Sequence, residues 1–100
     1  MIKIYFNKSE KEKIANILID NIIIGRLSNI EKETAWDIAE KVLENQEDML
    51  YLKKHEIQLI CNSLIRYKNR YVYEKEFGNE CFSIYNYIIS CCRKEIYICT

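Results

Sequence analysis

One hundred residues make one small domain, which excludes a two-domain enzyme with a cleft between its halves. Apolar residues at 49% and charged residues at 30% fit a globular fold better than a disordered tail or a membrane protein. Fifteen Lys and Arg balance fifteen Asp and Glu, so no net field steers the chain toward nucleic acid or an anionic bilayer, and two Gly with no Pro leave no Gly-rich phosphate loop.

Met1 to Asn7 alternates, with Ile2, Ile4 and Phe6 on one side and Lys3, Tyr5 and Asn7 on the other, the period of a half-buried strand. Ser9 with Glu12 forms a capping box, and Ile14, Ile17, Leu18 and Ile22 then repeat at helical spacing, predicting a helix from Glu10 to Ile24 that Gly25 ends. Ser28 with Glu31 is a second capping box. It opens a stripe of Ile30, Ala35, Ile38, Ala39, Val42 and Leu43, flanked by Trp36, that Asn45 can end.

A short apolar run, Met49 to Leu52, precedes a third helical stripe of Ile57, Ile60, Cys61, Leu64 and Tyr71, expected to stop before Gly78. A fourth stripe of Phe82, Ile84, Tyr85, Ile88, Ile89 and Cys92 starts after Asn79. Ile96, Tyr97 and Ile98 alternate, which predicts a C-terminal strand. No unbroken apolar run, Ile22 to Ile24 included, exceeds four residues, far too short for a membrane span.

Laid against itself at an offset of 46, the chain matches in clusters. Ile4-Tyr5-Phe6, Leu50-Tyr51-Leu52 and Ile96-Tyr97-Ile98 are three apolar-Tyr-apolar triplets, and between positions 4 and 19 seven of sixteen pairs are identical. Trp36 pairs with Phe82, Ile38 with Ile84, Val42 with Ile88 and Leu43 with Ile89, whereas 20 to 34 do not match. The expected fold is a single domain over 1–100 with a candidate internal repeat, 1–46 and 47–100. Its class is α+β and predominantly helical: two strand-helix-helix repeats plus a C-terminal strand, four helices with a small sheet in which parallel pairs are allowed. The alternative is an all-α four-helix bundle.

Several clusters are candidates for chemistry. His55, the one histidine, aligns with Ser9 and so reads as a helix-start residue; no nucleophile or orienting carboxylate can be placed beside it, and no catalytic residue is assigned. Glu33, Asp37, Glu40 and Glu44 fall on one helix face, either a solvated surface or a contact for a basic partner. Cys61, Cys81, Cys91, Cys92 and Cys99 include no C-x-x-C, and Cys61 and Cys81 align with Ala15 and Ala35. They read as small core fillers, with no metal site and no cofactor expected. The odd cysteine count and the lack of a basic-then-apolar leader predict reduced thiols in a cytoplasm.

The one basic and aromatic cluster joins Arg66 and Arg70, on one helix face, with Tyr67, Tyr71 and Tyr73. It is a helix end favoured by the macrodipole or a grip for an anion. Charge is segregated, with 31–50 at net minus five and 51–75 at net plus four. If Ile4, Phe6, Leu50, Leu52, Ile96 and Ile98 point at the helices, then Tyr5, Tyr51 and Tyr97 project from the other face as an aromatic patch suited to a homodimer.

Ile, Lys, Asn and Tyr fill 46 of 100 positions and Arg only four, a mix that resembles accessory proteins of AT-rich phages and mobile elements. The expected function is a non-enzymatic protein-binding module, with inhibition of a host or defence protein as one form. The alternative is a nucleotide or nucleic-acid binder using Arg66, Arg70 and the neighbouring tyrosines.

Overall fold

The computed structural model describes the backbone of residues 1–25, 27–70 and 75–99 and the side chains of residues 1–25, 27–66 and 79–93. Among these, the chain forms β1 (Ile2–Tyr5), α1 (Lys8–Ile24), α2 (Asn29–Glu44), β2 (Met49–Leu52), α3 (Lys54–Arg70) and α4 (Lys75–Cys99). It is an α+β fold, mostly helical, with four helices and a small two-stranded antiparallel sheet among the described residues. Strand pairing of 2–5 with 49–52 sets aside the all-α alternative.

The sheet follows from alternation. Ile4 and Phe6 on β1 and its exit, and Leu50 and Leu52 on β2, are at most 1% exposed, while Tyr5 and Tyr51 face outward. Burying each such side chain contributes roughly 1.5–3 kcal/mol. The register pairs Ile2 with Leu52, Lys3 with Tyr51, Ile4 with Leu50 and Tyr5 with Met49. Phe6 N–H donates to Asp48 C=O at 2.9 Å, so by the two-residue alternation of antiparallel ladders Ile4 and Leu50 exchange hydrogen bonds, and the carbonyls of Tyr5, Met49 and Tyr51 point to the open edges.

Helix α1 starts two residues earlier than the Ser9 capping box predicts. The cap is Asn7, whose Oδ1 accepts from Glu10 N–H at 2.8 Å while Glu10 Oε1 accepts from Asn7 N–H at 2.9 Å. Asn is as good a cap as Ser, and here it also ends the strand that places it. The correction carries to His55, which lies exposed in the first turn of α3; the position before the helix is Lys53, whose N–H donates to Glu56 Oε1 at 2.8 Å. Gly25 ends α1 at φ 77°, a left-handed conformation that costs L-residues energy. Ser28 with Glu31 caps α2 and Asn45 ends it.

Two further expectations change. Residues 96–98 lie within α4, not in a third strand. Three alternating residues are too few to fix a period, and the apolar series Tyr85, Ile88, Ile89, Cys92 and Ile96 runs on at helical spacing with no breaker after it. Gly78, expected near the break between helices, also lies inside α4, since one interior Gly costs only about 1 kcal/mol.

The two halves correspond closely. Helices α1 and α3 begin 46 residues apart and are both 17 residues long, and α2 and α4 also begin 46 apart. Buried residues recur in register: Ile14 and Ile60, Leu18 and Leu64, Ala15 and Cys61, Ala35 and Cys81, Ile38 and Ile84, Val42 and Ile88. Each helical pair packs as a hairpin on the inner side of the sheet, and α1 meets α3 across it. The antiparallel register pairs Ile4 with Leu50, its own counterpart at the offset of 46, and no parallel pair forms among the described residues.

Candidate functional site

The outer face of the sheet carries Lys3, Tyr5, Met49 and Tyr51. Tyr5 is 57% and Tyr51 47% exposed, diagonal to one another on adjacent strands. Lys3 Nζ lies 5.4 Å from the centre of the Tyr5 ring, a cation–π contact, and the oxygens of Tyr5 and then Tyr51 hold its ammonium above the ordinary lysine pKa. The third tyrosine, Tyr97, lies on α4 with its side chain outside those described, so it does not extend this sheet face.

Side chains take up one carbonyl on the β1 edge and two on the β2 edge. On the β1 side, Tyr87 Oη donates to Tyr5 C=O at 2.6 Å, and the Tyr87 ring meets Phe6 edge-on at 6.0 Å. Burial and the neighbouring Cys91 push the Tyr87 phenol pKa upward, so it stays a donor. On the β2 side, Lys41 Nζ donates to Tyr51 C=O and Asn45 Nδ2 to Met49 C=O at 3.2 Å. Neither Tyr87 nor Lys41 stands out in the sequence, because edge contacts leave no periodic signature.

A groove of about 850 Å³ runs between α3 and α4 and reaches Met1 and Ile2 at the sheet. Its walls are Ile57, Ile65, Ile89 and Tyr85 with the thiols of Cys61 and Cys92, and its cations are Lys54 and Arg66. Burial, together with Cys92, pushes the Cys61 thiol up to about 11, so it lines the groove as a neutral group. Arg66 Nη1 is shielded from solvent and has no hydrogen-bond partner among the described residues. The cluster centred on Arg66 is therefore only partly on view. The side chains of Tyr67 and Arg70 and the whole of Tyr71 and Tyr73 lie outside the described residues.

The acidic row stands on α2 with Glu33, Asp37, Glu40 and Glu44 all exposed. Beside it Trp36 is 46% and Leu43 56% exposed, two large apolar groups seven residues apart on one helix flank. Cys61 and Cys81 are buried free thiols, and Cys91 and Cys92 are half-buried. Among the described residues no three His, Cys, Asp or Glu side chains come together, and no helix is long and apolar enough to cross a membrane.

Lys11 is the residue that sequence reasoning missed most clearly. It is 6% exposed on α1, and its Nζ donates to Asn45 C=O at 3.1 Å and to Glu47 C=O at 2.8 Å. Its stem lies along the apolar core while its ammonium caps the end of α2. The aligned position is Ile57, also buried, and that pairing was the available signal. Compared with known protein families, with curated proteins and with solved structures, the chain matches none.

Proposed function

We propose that the chain is a non-enzymatic protein-binding module that works in the cytoplasm by covering a partner's surface. The observation that carries this reading is the pair Tyr5 and Tyr51, exposed together on a sheet face left uncovered by the described helices. Tyrosine supplies large contact area at low entropic cost and is enriched where binding energy concentrates. The edge carbonyls of Tyr5, Met49 and Tyr51, taken up by side chains, favour contact through this face over addition of a strand. A second copy is the simplest occupant and gives a twofold homodimer. With a phage-like composition, a host or defence protein inhibited by this face is the heterologous form.

The test uses the full chain and the double variant Tyr5→Ser, Tyr51→Ser, with circular dichroism confirming the fold of both. Sedimentation should show a wild-type dimer that the variant loses. Affinity capture from the native cytoplasm should retain one protein on wild-type bait and lose it on the variant. A wild-type monomer whose captured proteins are all unaffected by the double change rejects the reading.

The nucleotide or nucleic-acid alternative has one described side chain in its favour, Arg66, with its shielded and unpartnered Nη1. Arg66 lines a largely apolar groove, which suits a small ligand better than a polyanion.

A further inference from the structure

The two halves of the fold differ most where one holds the α3–α4 groove. Its counterpart in the first half is a cavity of about 370 Å³ lined by Lys8, Lys11, Glu12 and Leu43, the residues aligned with Lys54, Ile57, Gln58 and Ile89 of the groove. There Lys11 is tied to the carbonyls of Asn45 and Glu47, where the chain leaves α2 and turns toward β2. In the second half Ile57 replaces that lysine, α4 continues without turning, and the space opens to about 850 Å³. The charge also reverses, since Arg66 stands where the first half has Asp20.

From this contrast we infer that the α3–α4 groove is a binding site for a free single-chain amphiphile with one anionic head, the head held by Arg66 and the tail lying along Ile57, Ile65 and Ile89 toward Met1. This goes beyond the protein-contact reading and does not rest on it. Its volume lies within the range of about 300–1,000 Å³ typical of small-molecule pockets. Among the described residues the lining holds Lys54 and Arg66 and no carboxylate, in a chain with 15 acids, so this part of the groove is complementary to an anion. Arg66 lines the groove, and its guanidinium, whose Nη1 has no partner among the described residues, is the group that pairs with a carboxylate head. Between Lys54 and Arg66 the helix rises by about 18 Å, room for an extended alkyl tail.

Calorimetric titration of the full chain with dodecanoate and with dodecanol, each below its aggregation concentration, tests the site. Dodecanoate should bind one to one, and Arg66→Gln should weaken it by about tenfold or more while dichroism shows the fold unchanged. Dodecanol should bind more weakly and be indifferent to Arg66→Gln. Ile89→Trp, which fills the groove, should abolish binding of both. The inference is overturned if wild type does not bind dodecanoate, or if Arg66→Gln binds it equally well. It is overturned too if only phosphatidylglycerol vesicles or an acidic peptide compete for Arg66, which would make the groove a membrane or protein contact.

Discussion

Ile4 and Leu50 face one another at the centre of the sheet, and each is the other's counterpart at the offset of 46. Both are at most 1% exposed. Ile4→Ala and Leu50→Ala should each cost about 2–5 kcal/mol by chemical denaturation. Because they share a contact, the double variant should cost less than the sum, with a coupling of about 0.5–3 kcal/mol. Additive costs would show that the two side chains do not share one cavity.

Lys11→Met keeps the stem and removes the ammonium that serves the carbonyls of Asn45 and Glu47. The expected loss is about 1–3 kcal/mol in urea unfolding, the penalty for part-buried acceptors losing a charged donor. Amide hydrogen exchange should rise first at the end of α2 and at residues 45–48.

Ser63 is 1% exposed and its hydroxyl has no hydrogen-bond partner among the described residues. It occupies the position aligned with Ile17, a core residue. Ser63→Ala removes the unsatisfied group, so the thermal midpoint should stay level or rise by an amount equivalent to about 1 kcal/mol. A clear fall in midpoint would reveal a hydrogen bond made by that hydroxyl.

Burial raises the Cys61 thiol from 9.0 to about 11 in the folded chain. The folded state therefore holds its proton more tightly than the unfolded state does, and this contribution is complete below pH 9 and lost as pH rises toward 11. Wild type should lose stability over that window more steeply than Cys61→Ala, in equilibrium unfolding measured under reducing conditions.

Helix positions were legible because apolar residues recur with a period that backbone geometry enforces, as at Ile14, Leu18, Ile60 and Leu64. The strands were legible for the same reason at Ile4, Phe6, Leu50 and Leu52. The end of the chain was not, since Ile96, Tyr97 and Ile98 satisfy both periods over so short a run and only the preceding turns of α4 decide. The exact start of α1 hid behind two cap-like pairs, Asn7 with Glu10 and Ser9 with Glu12, of which the strand's exit selects the first.

The candidate sites divide in the same way. The outward positions of Tyr5 and Tyr51 followed from alternation, whereas the groove depends on how far α4 extends past Cys92 and on the turn after α2, neither of which a periodic pattern encodes. Arg66 was visible as a cation, but its place in one groove with Tyr85 and Ile89 depends on helix packing across about twenty residues of sequence.

Two identical subunits joined by a twofold axis must carry every cavity in duplicate, and any change that improves one copy is imposed on the other. A single chain with two corresponding halves is free of that constraint. Here Lys11 anchors the backbone in one half while Ile57 leaves space in the other, so anchoring and vacancy occupy equivalent places without conflict. Exchanging them, with Lys11→Ile and Ile57→Lys in one chain, asks whether the groove can be moved to the other half of the fold.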